Sequence, residues 1–205
     1  MIHEGKFKIG TLCNYRDTEK HGSARGDKDE GAASTYDIVS DYSSGQLAGG
    51  TPQGLSDFTA KNFFGNCRYG TINIHGSVVF EAERTSRNLL VYCVSRILSK
   101  QVMEGMKYDA CVEITDAARF FGAITASIES SRGKLSAKAF GNCEYCSRKQ
   151  HHSVNTTTHP AFIKDESFSY QAETRMAWEP IDNEISDFVL ICPEATRFCK
   201  LVQCA

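Results

Sequence analysis

The run Leu89-Leu90-Val91-Tyr92-Cys93-Val94 is apolar on both faces of any strand it could form. Bounded by Asn88 and by Ser95-Arg96, it is too short for a buried helix and reads as a central strand covered on both sides. The chain must therefore supply a sheet with apolar cover on each face. Its 205 residues suffice for one domain with a sizeable core and are few for two. The expectation is a single domain spanning 1–205.

Other segments carry weaker strand signals. Lys6 to Arg16 reads as a short strand. Gly70 to Glu83 alternates through Ile72, Ile74, Val78 and Phe80, as one strand or as a hairpin folded at His75-Gly76. Tyr108 to Ile114, Ile124 to Ile128, Lys134 to Phe140 and Phe188 to Pro193 suit further strands, and Phe162 to Phe168 leads into another through Tyr170-Gln171-Ala172-Glu173-Thr174-Arg175-Met176. Helical stretches are small: a turn or two over Ser99 to Met106, about two turns capped by Asp116 and ended by Gly122, and a short C-terminal helix over Glu194 to Val202. From Asp17 to Gly54 the chain is polar and Gly-rich, a long surface loop region 17–54 with one short element near Tyr36 and Ile38. The balance predicts a strand-rich α+β fold with short helices. Phe64-Gly65-Asn66-Cys67-Arg68-Tyr69 and Phe140-Gly141-Asn142-Cys143-Glu144-Tyr145 echo each other as similar Gly-Asn turns, without a longer period that would mark a repeat.

A formal charge of −2 gives no global pull toward nucleic acid or anionic membrane. There is no apolar run long enough to span a bilayer, and Met1-Ile2-His3-Glu4-Gly5-Lys6 lacks the apolar core of a secretion signal, so the expected location is cytoplasmic. Nine cysteines are then read mostly as buried, reduced thiols.

Three constellations could carry chemistry. Alternation along a strand puts Gln171, Glu173 and Arg175 on one face; Arg175 there suits either a phosphate or a pairing with Glu173. Upstream, Arg16 follows Leu12 and Tyr15 at a strand end, where its planar fork could hold a phosphate, and Ser95 closes the central run. A second set is Cys143-x-x-Cys146 with His151 and His152, and Cys67 as a further thiol. These are zinc-like residue types without the spacing of two separated pairs. A third is Asp27, Asp29 and Glu30 with Glu173, which either hold a divalent ion for phosphodiester cleavage or, in the loop, compensate neighbouring charges in solvent.

In order and strand context, Arg16, Ser95 and Gln171-Ala172-Glu173 resemble the Arg-Ser-Glu branch of the ADP-ribosyltransferases. The family's usual central Ser-Thr-Ser is replaced here by Ser95-Arg96-Ile97. The resemblance implies a split β-sheet core and NAD as co-substrate. Arg16 would bind the dinucleotide, Ser95 orient the nicotinamide ribose, and Tyr15 or Tyr92 stack on a ring, although Tyr92 between Val91 and Cys93 equally suits a core. Glu173 would be catalytic and Gln171 would meet the acceptor. The layout of Tyr15, Arg16, Glu19, Gly26, Asp27, Glu30, Gly31, Cys93, Ser95, Glu173 and Arg175 also resembles uncharacterised bacterial proteins linked with toxin or phage-defence systems. The implied activity is transfer of ADP-ribose from NAD to a protein or nucleic acid, as a toxin or anti-phage effector with a possible antitoxin as partner. The alternatives are a metal-dependent nuclease and a non-catalytic module that binds a nucleotide or a partner.

Overall fold

The computed structural model describes residues 4–21, 26–105, 108, 110–154, 157–181 and 185–202. Along the chain run β1 (Lys6–Thr11), α1 (Thr18–His21), β2 (Ala32–Ala48), α2 (Asp57–Phe63), β3 (Tyr69–Thr85), β4 (Leu90–Ser95), α3 (Lys100–Gly105), β5 (Cys111–Ile114) and α4 (Ala117–Arg132). They are followed by β6 (Leu135–Asn142), β7 (Glu144–Tyr145), β8 (Lys149–His151), β9 (Ile163–Lys164), β10 (Glu173–Pro180), β11 (Phe188–Ile191), α5 (Pro193–Thr196) and β12 (Cys199–Val202). The fold is strand-rich α+β.

One sheet has the order β11-β1-β4-β10-β6, each neighbouring pair antiparallel. β4 is its middle strand, as a doubly apolar run requires. On one face Leu90 joins Phe7, Ile9, Met176, Trp178 and Leu190 against Phe120, Ile124 and Ile128 of α4 and Ala195 of α5. On the other, Val91 packs with Leu12, Leu89, Ala161 and Ala177. Strand alternation sends Val91, Cys93 and Ser95, with Glu173 and Arg175, to this second side. Beyond the sheet, β3-β2-β8 form a ribbon in which the two long strands are antiparallel and β8 runs parallel to β2. β12 pairs with β5, and β7 with β9.

Several expectations change. Residues 32–48, read within the loop region 17–54, form β2. Its faces are largely exposed or half-exposed, so no apolar alternation announced it, and cross-strand pairing with β3 stabilises it instead. β3 runs straight through His75-Gly76. Gly76 sits at φ +71°, opposite Asp41 at φ +45°, and donates its N–H to Asp41 Oδ1 at 2.8 Å. The register slips there, so the Gly makes a bulge rather than a turn.

The helix capped by Asp116, whose Oδ1 accepts the Arg119 N–H at 3.0 Å, runs on to Arg132. Gly122 is exposed on its outer side, while Phe120, Ile124 and Ile128, spaced by one helical turn, form the buried stripe. Ile124 to Ile128 is therefore helix, not strand. At the C-terminal end α5 is a single turn, and 199–202 pair as β12 instead of continuing a helix. Phe162 to Phe168 is divided between β9 and a 3-10 turn over Glu166–Gln171, after which Ala172 adopts left-handed φ +44°. Gln171 thus precedes β10 rather than lying on it. Arg16 lies on a 3-10 turn, Asn14–Arg16, beyond the end of β1. Asp109 and Met106, within expected elements, lie outside the described residues.

Candidate functional site

The C-terminal end of β4, α3 and β5 face β9 and the start of β10 across a cavity of about 290 Å³, at the lower end of the range for small-molecule sites. Its wall is apolar, from Val94, Ile97, Leu98, Val102, Met103 and Val112, and its floor is polar, from Glu30, Lys164, Gln171, Glu173 and Arg175 with Tyr15, Cys93 and Ser95. An apolar wall facing a few convergent polar groups suits a flat ring carrying a polar substituent.

The floor is a buried ion network. Lys164 Nζ donates to Glu173 Oε2 at 2.8 Å and to Gln171 Oε1 at 2.6 Å. Arg175 grips Glu173 Oε1 with Nε at 2.8 Å and Nη2 at 2.7 Å, and its Nη1 reaches Glu30 Oε1 at 2.8 Å and the Ala161 carbonyl. Arg175 and Glu30 are each 1% exposed. Two cations and two carboxylates balance, which is the condition for burying any of them. The backbone supports the arrangement: the Glu173 N–H donates to the Tyr145 hydroxyl at 2.6 Å, and the Cys143 N–H donates to the Glu173 carbonyl at 2.9 Å.

Burial pushes the Glu173 carboxyl up. The charges of Arg175 and Lys164, with hydrogen bonds from Lys164 and the Cys93 thiol, outweigh it and hold the group at about 2 against an ordinary 4.5. Lys164 also loses to burial but is raised overall by Glu173 and Glu30. Cys93 is pushed well up, first by burial and then by Glu173, so at neutral pH it is a thiol that donates and not a thiolate that attacks. Neighbouring Cys93 and burial also raise the Tyr15 phenol.

The depressed value of Glu173 has a consequence for stability. In the unfolded chain the group titrates at its ordinary value, so its contribution is complete above about pH 4.5 and is lost as pH falls toward about 2. Going from about pH 6 to about pH 3 should lower unfolding free energy by on the order of 2 kcal/mol through this group. Urea titrations of the native chain and of Glu173→Gln check it: the variant's acid limb should be flatter by that amount, and parallel limbs would refute the assignment.

Of the residues singled out in the sequence, Tyr15, Ser95, Gln171 and Glu173 line this cavity, and Ser95 and Glu173 are direct partners in the β4–β10 ladder. Ser95 Oγ lies 2.8 Å from the Gln171 carbonyl and 2.9 Å from the Ile97 carbonyl, tying the end of β4 to the turn before β10. Arg16 does not line the cavity. Its Nε donates to the Glu30 carbonyl at 2.7 Å, because the 3-10 turn carries it past the strand end. Tyr92 does not line it either: one residue before Cys93, it faces the helix side, packed edge-on to Phe7 at 6.2 Å and tilted against Phe120 at 5.8 Å. Arg175, Glu30 and Cys93, named in the sequence for other arrangements, line it as well, and Lys164 is a site residue that the sequence did not single out.

The other two constellations do not assemble as expected. Asp27 is paired with Arg148, Glu30 and Glu173 with the cations above, and Asp29 is exposed; among the described residues these four carboxylates do not gather as metal ligands. Cys143 is buried beneath the ion network, its thiol pushed up to about 12 mainly by burial. Neither it nor Cys146 joins His151 and His152. The eight described cysteines are free thiols; only Cys143 and Cys192 are fully buried, while Cys204 lies outside the described residues.

No family model matches the chain, and no curated protein or solved structure matches it. Among the described residues no helix is long and apolar enough to cross a membrane.

Proposed function

We propose that this cavity receives the nicotinamide-ribose end of NAD and that the protein transfers ADP-ribose to a macromolecular acceptor, as a toxin or anti-phage effector. The observation that carries the reading is that Ser95, Gln171 and Glu173, chosen for their order in the chain, line one cavity together with Tyr15. Its volume suits one ring and its sugar rather than a whole dinucleotide, and the apolar wall fits an uncharged leaving nicotinamide. Cleavage of the C1′–N bond leaves its electron pair on nicotinamide and an oxocarbenium-like ribose; the acceptor then attacks C1′ and gives up its proton. Glu173, ionised throughout the neutral range and held rigidly, would stabilise that cation more than the ground state. A carboxylate has about four lone-pair sites. Lys164, Arg175 and Cys93 occupy them, and the Cys93 thiol, the weakest donor, is the one a ribose hydroxyl would replace. Ile97, Leu98 and Tyr108, exposed beside the cavity, would offer the acceptor an apolar landing.

The test is incubation of the purified protein with labelled NAD and separate pools of RNA, DNA and protein. Label entering one pool, with nicotinamide released, supports the transferase. Saturable NAD binding without turnover would make the protein a non-catalytic binding module, and NAD-independent, divalent-ion-dependent cleavage of nucleic acid would make it a nuclease.

A further inference from the structure

Away from that cavity, three side chains meet where β2, β8 and the N-terminus of α2 come together. Asp37 lies on β2, and His151 ends β8 as the ladder partner of Tyr36. The His152 N–H returns to the Tyr36 carbonyl at 2.8 Å. Both imidazoles turn toward one carboxylate oxygen. Asp37 Oδ1 is 3.3 Å from His152 Nε2 and 3.8 Å from His151 Nε2, and one ligand atom from each of the three residues falls within 4.8 Å of the others.

Simple ion pairing accounts for half of this. The contact to His152 could be a hydrogen bond, but 3.8 Å is too long for one, and the two rings sit only 4.3 Å apart between centroids, a poor arrangement for two imidazolium ions. A tetrahedral zinc with bonds of about 2.0–2.1 Å holds its ligand atoms roughly 3.3–3.5 Å apart, close to the two Asp37–imidazole separations of 3.3 and 3.8 Å. The surrounding groups are those that orient metal ligands. Ser56 Oγ and Thr59 Oγ1 donate to Asp37 Oδ2 at 2.6 and 2.5 Å, with the Ile38 N–H on Oδ1 at 2.8 Å. Ser153 holds the His151 ring from the Nδ1 side, with its Oγ at 2.8 Å and its backbone N–H at 3.3 Å, and leaves Nε2 turned toward Asp37. The His152 ring is stacked parallel to Phe58, 6.4 Å between centroids. Asp37 and His152 also line a cavity of about 300 Å³ with Tyr42 and Ser56, so a fourth coordination position would open into space rather than onto protein.

We propose that Asp37, His151 and His152 form a three-ligand site for a divalent first-row transition metal of the zinc class, with an open fourth position. Two imidazoles and one carboxylate favour that class over magnesium or calcium, which take all-oxygen shells. The site is independent of the NAD reading, since none of its ligands lines the first cavity.

Equilibrium dialysis of the full chain against zinc, with metal quantified per chain, and titration with cobalt(II) followed by optical absorption test it. The expected result is one equivalent of either ion, with cobalt d–d bands of a low-coordinate N/O site and no thiolate-to-cobalt charge transfer. His151→Asn/His152→Asn should weaken binding at least about 100-fold while circular dichroism stays native. His151→Asn alone, at a half-exposed position, should weaken it at least about 10-fold. Less than one equivalent bound, a thiolate charge-transfer spectrum, or affinity unchanged in folded variants would overturn the proposal.

Discussion

Arg175→Met should lower unfolding free energy by about 3–5 kcal/mol. Methionine fills similar space without a donor. Its introduction leaves Glu30 and Glu173, both buried, to share Lys164, which is 2.8 Å from Glu173 but 4.0 Å from Glu30. The Ala161 carbonyl loses a donor as well. One carboxylate must then be protonated or left uncompensated in a low-dielectric site, and either outcome penalises the folded state. Because Arg175 joins β10 to the turn before β2 and to the 160–162 turn, its loss also loosens three segments distant in sequence. Urea unfolding reads the effect. Arg175→Met/Glu30→Gln should recover part of the loss, since it removes the carboxylate that Lys164 serves least well, and failure to recover would locate the damage in packing rather than in charge. Lys61→Ala supplies the contrast: its pair with Asp57 is exposed on both sides and should change stability by at most about 1 kcal/mol. A loss below about 1 kcal/mol for Arg175→Met would mean that water reaches the network and that it is not the anchor described.

That network also marks the limit of what the sequence discloses. Leu89 to Val94 announced the middle strand because both of its faces are covered, and burial on both faces is visible as composition. Glu173 and Arg175 were legible as same-face neighbours from strand alternation alone, and they pair. Glu30 was grouped with Glu173 only as a candidate metal ligand; its pairing with Arg175, 145 positions away, was not legible, since it lies in a run of charges that resembles a solvated loop. Lys164 carried a faint signal, a single cation after Phe162-Ile163 in the segment read as leading into the Gln-x-Glu strand. β3 showed in the alternation from Gly70 to Glu83, but β2 was obscured for the opposite reason. A strand exposed on both faces needs no apolar period, and its Ser, Asp and Gly content resembles loop. In α4 the Gly122 that read as a stop simply faces solvent, and Ile124 to Ile128 is the kind of short apolar run in which helix and strand patterns coincide. The Asp37 cluster joins two adjacent histidines to an aspartate more than a hundred positions earlier, and only the parallel pairing of β8 with β2 brings them together.

Glu173→Asp is expected to cut NAD turnover by on the order of 100-fold while leaving the chain folded, and it separates the catalytic reading from a purely structural one. Aspartate keeps the charge that Lys164 and Arg175 require, so the ion network can re-form with modest adjustment. What changes is reach: one methylene less withdraws the carboxylate by about 1 Å from where ribose would bind, and displacement on that scale is enough to lose the transition-state contact. Glu173→Gln removes the charge itself, so it should lose turnover by about 100- to 1000-fold and stability as well. If Glu173 serves only to neutralise Lys164 and Arg175, the losses shrink: Glu173→Asp stays fully active, and Glu173→Gln loses activity only in proportion to its unfolded fraction. The two cases are told apart by kcat measured on the folded population, with NAD affinity determined separately. A fall in kcat for Glu173→Asp at nearly unchanged NAD affinity is the signature of a carboxylate that acts on the departing nicotinamide's ribose rather than on the architecture around it.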